Sequence, residues 1–167
     1  MNDAAGSINL TSRCPDETEV WAQALADIAR PGRVMCLWGD VGAGKTFFAR
    51  TLIQTLQARC GDAEDVPSPT FTLVQTYDAG DLEIWHADLY RLSGPSDIDE
   101  LGLLTAFETA FCMIEWPDRL GELMPADALQ MTFSHATNLE ERSCIITCRD
   151  STFLAECASC LSVVTHV

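Results

Sequence analysis

Val34-Met35-Cys36-Leu37-Trp38-Gly39-Asp40-Val41-Gly42-Ala43-Gly44-Lys45-Thr46 is the stretch that decides the fold of this chain. Its first five residues form a continuous apolar run, the signature of a short strand covered on both faces. The next eight match G-x-x-x-x-G-K-[ST], a loop whose backbone N–H groups wrap a phosphate. A helical stretch runs from Lys45 to about Arg59 and is stopped by Gly61. Strand, loop and helix in that order are the context the motif requires. Gly39, Gly42 and Gly44 let the loop bend without a Cβ in the way, and Asp40, Val41 and Ala43 complete it. Lys45 is expected to reach the β- and γ-phosphates of a nucleotide, and the Thr46 hydroxyl to bind Mg²⁺.

Lys45 is the single lysine of the 167 residues, and the other nine basic residues are arginine. A coding bias toward arginine accounts for part of that. It does not account for where the lysine falls. A flat guanidinium cannot replace the compact ammonium that curls back onto phosphate oxygens.

Upstream of the loop, Val20, Trp21, Ala24, Leu25 and Ile28 recur at helical spacing, so residues 17–30 read as an amphipathic helix ended by Pro31-Gly32. Asp16, Glu17 and Thr18 offer its cap. Residues 1–12 show no basic region followed by an apolar stretch and read as a flexible tail.

Downstream, residues 62–69 read as an acidic, proline-containing loop. Residues 71–77 and 82–89 read as a hairpin turning at 78–81. Residues 96–107 read as a helix capped by Ser96. Phe111-Cys112-Met113-Ile114 is a second buried strand, ending at Glu115. Residues 128–135 and 142–148 read as a second hairpin joined by 136–141, and Asp150 caps a last helix to about Leu161. The expected architecture is a single α/β domain over 1–167, a P-loop NTPase-like three-layer sandwich with a mixed parallel and antiparallel sheet.

Composition narrows the function. Ten cations stand against 25 acids, a net charge of −15. A protein that grips DNA or RNA by itself needs a basic face, so contact with nucleic acid is expected to be indirect. No apolar run is long enough to span a membrane, and a cytoplasmic location is expected. In that setting the eight cysteines stay reduced. Cys36 and Cys112 fall inside apolar runs and read as core residues. Cys144, Cys148, Cys157 and Cys160 have poor zinc spacing and read as scattered thiols.

A nucleotide site of this class needs an acidic residue at the end of an apolar strand. Glu115 and Asp88 are the candidates. Thr70 and Thr72, in Ser68-Pro69-Thr70-Phe71-Thr72-Leu73, follow the first site helix where a switch loop belongs. His86 shares a strand face with Asp88, and two readings stay open for it: contact with phosphate or Asp88, or a structural histidine. Trp116 follows Glu115 and is placed to shape the site. With no lysine left, the chain lacks the N-K-x-D motif that reads guanine, so ATP is the expected nucleotide. Arg91 and Arg119 stand alone, too few for a kinase lid.

Four segments now fall in order. They are Gly39 to Thr46, Ser68-Pro69-Thr70-Phe71-Thr72-Leu73-Val74, His86-Ala87-Asp88-Leu89-Tyr90-Arg91-Leu92 and Ile114-Glu115-Trp116-Pro117. Together they closely resemble the bacterial TsaE family (formerly YjeE), with its G-[DE]-x-G-A-G-K-T loop, S-P-T-[FY]-T-L segment, H-x-D-x-Y-R-L strand end and E-W-P tripeptide. The resemblance covers residues 18 to 117. It implies an ATPase required for threonylcarbamoyl modification of adenosine 37 in tRNAs that read ANN codons. It implies work with TsaB and TsaD, with TsaC supplying the threonylcarbamoyl-adenylate and tRNA met only through the complex. By the same resemblance Thr46 and Glu115 hold Mg²⁺, and Asp88 is a second metal or water-orienting carboxylate. Thr70 and Thr72 belong to the switch, and Thr18 lies near the adenine. Asp118 departs from the Glu or Gln that many members carry there, and the C-terminal cysteines are not a family feature. Two other classes remain open: a small-molecule kinase, and a nucleotide-gated binding module with little turnover.

Overall fold

The computed structural model of the chain describes residues 6–135 and 141–165. Seven strands form one sheet: β1 (Ser7–Ser12), β2 (Val34–Trp38), β3 (Val74–Ala79), β4 (Leu82–Asp88), β5 (Phe111–Glu115), β6 (Leu129–His135) and β7 (Arg142–Thr147). Their order across the sheet is β1-β7-β6-β2-β5-β4-β3. β6, β2, β5 and β4 run parallel, while β7 and β3 pair antiparallel to β6 and β4.

β2 and β5 pair in the middle of the sheet, which is why both read as unbroken apolar runs. Every residue of β5 is buried, as is all of β2 except Trp38. On one face lie helices α1 (Pro15–Leu25), α2 (Lys45–Ala58) and α5 (Ser151–Ser162), covering Met35, Leu37, Phe111, Met113, Met131 and Ile146. On the other lie the short helices α3 (Pro95–Ile98) and α4 (Leu103–Thr109) and a 3-10 segment, Pro117–Leu123, covering Cys36, Ala87, Cys112 and Ile114. This is the expected three-layer mixed-sheet sandwich. No described helix is long and apolar enough to cross a membrane.

Several local expectations change. Residues 1–12 are not all tail. Ser7–Ser12 form an edge strand, in register with β7 from Ser7↔Thr147 to Ser12↔Arg142. Leu10 is buried and Ile8 half-buried, and the polar residues between them face out. The first hairpin strand starts at Val74 rather than 71, because Leu73 takes a left-handed φ of 66° and breaks the extended run. The helix expected over 96–107 is two short helices, broken at Gly102 with φ 78°. α1 starts earlier than expected, with Pro15 at its first turn and Cys14 at the cap position. The connection expected over 136–141 lies, but for Glu141, outside the described residues. Asp150 does cap α5, accepting from the Thr152 and Phe153 N–H groups at 2.9 and 3.1 Å.

Candidate nucleotide site

β2, β5 and β4 are parallel, so their carboxyl ends open at the same edge of the sheet. Ligands of open α/β sheets bind at that edge. The glycine-rich loop leaves β2 there and turns straight into α2. Gly39 has a φ of 135°, and a Cβ on it would fall 2.4 Å from the Phe133 carbonyl oxygen. Only glycine fits that contact, which fixes the start of the loop against β6. Gly44, with φ 109°, hands the chain to α2, whose first residue is Lys45. Phe48, fully buried 5.5 Å from the Phe133 ring, anchors the first turn of α2 under the same strand. Truncating such a ring costs about 3–5 kcal/mol, so the placement of the loop rests on the core beneath it.

Lys45 is folded back on its own loop. Its Nζ donates to the Gly39 carbonyl at 2.5 Å and the Asp40 carbonyl at 2.8 Å, and sits 4.5 Å from the centroid of the Trp116 ring. Burial lowers its pKa below the ordinary 10.5, although Glu115, Asp88 and Asp40 pull it the other way. The ammonium is held against carbonyl oxygens without its full water shell.

The two expected carboxylates come together. Asp88 and Glu115 are register partners at the ends of β4 and β5. Thr46 Oγ1 donates to Glu115 Oε2 at 2.9 Å. The other oxygen, Oε1, meets His86 Nε2 at 2.8 Å. Asp88 Oδ2 accepts from Thr70 Oγ1 at 2.9 Å and Oδ1 from the Tyr90 N–H at 3.0 Å. The Thr70 hydroxyl also meets Ser68 Oγ at 2.8 Å. The segment after α2 is thereby tied to the site through one carboxylate. Thr72 is not part of the cluster. It is exposed and accepts from Gln75 Nε2 at 3.2 Å, because the turn at Leu73 directs it away.

These residues line one end of a cleft of about 1000 Å³, large enough for a nucleotide. Thr18, buried and bonded to Ser12 Oγ at 2.9 Å, lines the cleft from α1. Of the two readings of His86, contact with phosphate or Asp88 is not what the structure shows: fully buried, it contacts Glu115, a partner the sequence did not indicate. Trp116, at φ 57°, turns the chain at the end of β5 and lays its ring against Tyr90, 4.7 Å between centroids.

Several lining residues escaped the sequence reading, among them Tyr90, Cys14, Pro15, Phe47 and Arg142. Tyr90 sits inside the H-x-D-x-Y-R-L segment and was there to be found. Cys14 and Arg142 reach the cleft only because β1 and β7 pair, which brings Ser12 opposite Arg142. The remaining buried thiols lie in the core, where burial pushes those of Cys36, Cys112 and Cys157 up to about 12 and makes them inert.

Among the described residues no three His, Cys, Asp or Glu side chains form a metal cage. The donors present are a threonine hydroxyl and two carboxylates. That set fits Mg²⁺, which is held by one or two carboxylates together with phosphate oxygens and water.

A phosphate loop at the carboxyl end of a central parallel strand, faced by acidic residues on its neighbours, defines a P-loop NTPase-like α/β protein. The chain belongs to the TsaE family: the model described as "Threonylcarbamoyl adenosine biosynthesis protein TsaE" matches residues 12–144. The tRNA threonylcarbamoyladenosine biosynthesis protein TsaE of Rickettsia bellii is 38% identical over 132 residues, 79% of this chain and 89% of that protein. The Bacillus subtilis protein of the same name is 37% identical over 123 residues, 73% of this chain and 74% of its own length. The crystal structure of Bacillus subtilis YdiB superposes with a TM-score of 0.78 at 28% identity, covering 97% of this chain and 99% of that one.

Proposed function

We propose that this chain binds ATP with Mg²⁺ in the cleft, hydrolyses it slowly, and thereby serves threonylcarbamoyl modification of adenosine 37 in tRNAs that read ANN codons. One observation carries the reading: Lys45, Thr46, Asp88 and Glu115, from three separate segments, converge on one end of a nucleotide-sized cleft. Family membership supports the pathway, through relatives named for tRNA threonylcarbamoyladenosine biosynthesis.

In this mechanism the loop N–H groups and the α2 N-terminus bind the phosphate chain. Lys45 leaves the Gly39 and Asp40 carbonyls for the β- and γ-phosphate oxygens. Thr46 and Glu115, with Asp88 near them, would hold Mg²⁺, which would supply positive charge against the charge developing on the phosphates. Asp88 orients the attacking water, being held by Thr70 and the Tyr90 N–H. Water oxygen bonds to the γ-phosphorus, the bridging oxygen–phosphorus bond breaks with its electrons leaving on ADP, and the proton lost by the water passes to an oxygen of the released phosphate. Thr18 borders the far end of the nucleotide.

The net charge of −15 supports action through a protein complex rather than by direct grip on tRNA. We take the partners to be TsaB and TsaD, in the cytoplasm. The kinase alternative finds no support in the arginines, since Arg91 lies over Phe71 and Arg119 pairs with Asp118. A gating role without turnover has one observation in its favour: Thr70 links Asp88 to a segment carrying the strongly exposed Phe71.

The deciding experiment measures ATP hydrolysis alone and with TsaB and TsaD, beside capture of those proteins with ATP, ADP or no nucleotide. Stimulated turnover and nucleotide-dependent capture are expected. Capture that depends on ATP without turnover favours the gating role. The absence of both overturns the reading.

A further inference from the structure

We propose that His86 is a positioning residue that sets the orientation of the Glu115 carboxylate toward the metal, an inference that rests on the nucleotide reading above. His86 and Glu115 lie on neighbouring parallel strands, two positions out of register, with His86 opposite Met113 and Asp88 opposite Glu115. The imidazole is wholly buried and Glu115 nearly so. For Glu115 to serve a metal as a carboxylate, the 2.8 Å contact has to be His86 Nε2–H donating to Oε1. The opposite oxygen accepts from Thr46 at 2.9 Å. Both oxygens are therefore held, on opposite sides, by groups from different elements.

That double hold has a physical purpose. The last torsion of a glutamate is broad and weakly restrained by itself. Lys45 stands close enough for its charge to be felt by Glu115. A freely turning Glu115 would swing toward the ammonium, taking Lys45 from phosphate and a carboxylate from the metal. The imidazole prevents this by holding Oε1 on the β4 side. Packing alone does not explain the residue. Nδ1 is buried with no hydrogen-bond partner among the described residues, a cost that a leucine or phenylalanine of like size would avoid. The ring has its justification at Nε2. Hydrogen-bond partners of this kind, one step removed from a metal, typically change its affinity by about 10- to 100-fold when removed.

The test compares His86→Leu, which keeps bulk but has no donor, with His86→Gln, whose amide donor reaches to about the place of Nε2. Mn²⁺ binding to the ADP-loaded protein is followed by electron paramagnetic resonance. ADP affinity is measured in EDTA by calorimetry. The expected result is Mn²⁺ binding weakened about 10- to 100-fold in His86→Leu, largely restored in His86→Gln, with metal-free ADP affinity within about twofold of the parent. Unchanged Mn²⁺ affinity in His86→Leu overturns the proposal. So does an equal loss of metal-free ADP affinity, which marks a general packing role. If His86→Leu fails to fold, the same measurement is made on His86→Gln with and without Glu115→Gln. A His86→Gln metal affinity near that of Glu115→Gln overturns the proposal, and one near the parent supports it. A parent protein that binds no ADP under any condition counts against the nucleotide reading itself.

Discussion

The Lys45 ammonium rests 4.5 Å from the centroid of the Trp116 indole. A cation over an indole face is held by the ring's quadrupole, and its departure changes the surroundings of the fluorophore. On the proposed reading, nucleotide binding draws Lys45 off that ring. Emission is expected to shift when ATP or ADP is added, and Trp116→Phe is expected to abolish the shift although Trp21, Trp38 and Trp85 remain. A full response in Trp116→Phe would show that the signal comes from another indole and not from Lys45 leaving Trp116.

Lys45 also makes a prediction about stability. Its folded pKa lies below the ordinary 10.5, chiefly through burial. Below that lowered value both folded and unfolded chains hold the proton, and the fold carries a constant penalty. Between the lowered value and 10.5 the unfolded chain keeps a proton the folded chain has released. Stability contributed by this group therefore rises with pH across that window. Lys45→Met, which binds no phosphate, is expected to melt at or above the parent at neutral pH, with the difference closing at alkaline pH. Melting below the parent at pH 7 would show that the bonds to Gly39 and Asp40 outweigh the burial.

Asp88 is predicted to act on turnover rather than on binding. Asp88→Asn keeps an acceptor for Thr70 and nearly the same volume. Hydrolysis is expected to fall by about 100-fold or more, with ADP affinity little changed, the usual scale for losing a group that handles the attacking water. Single-turnover kinetics beside calorimetry separate the two. Unaltered hydrolysis removes Asp88 from the mechanism.

Two glycines of the same loop are predicted to differ. At Gly39 a Cβ meets a backbone oxygen at 2.4 Å and a φ of 135°. At Gly42, with φ 78°, it meets nothing within 4 Å. Gly42→Ala is expected to cost about 1–2 kcal/mol, the left-handed strain alone. Gly39→Ala adds a forced displacement of β6 and is expected to cost about 3 kcal/mol or more. Denaturant unfolding of both variants reads the difference. Equal losses would mean that the loop start is not tied to Phe133.

The parts of the fold legible in the sequence were those whose local signal is strong. β2 and β5 are covered on both faces and read as apolar runs. The glycine loop and the Asp150 cap carry their own chemistry. β1 was not legible because its inward residues, Ile8 and Leu10, are too few for a period to emerge, and its strand character comes from pairing with β7. Arg142 was hidden for the same reason. The break at Leu73 and the departure of Thr72 depend on a left-handed φ at a leucine, which no residue preference announces. The partnership of His86 with Glu115 is a matter of strand neighbours. Sequence showed that His86 shares a face with Asp88, but not that β5 lies alongside.

β2 sits between β5 and β6, pairing with Cys112–Glu115 on one side and Leu129–Thr132 on the other. During synthesis, which proceeds from the N-terminus, the phosphate loop is complete in sequence by Thr46, long before either neighbour exists. Until β6 emerges, Gly39 lacks the Phe133 carbonyl it packs against, and until β5 emerges, Thr46 lacks Glu115. On the proposed reading, the ability to hold a nucleotide arises only after β5 and β6 have been made, so a bound nucleotide reports a sheet assembled at least as far as Phe133.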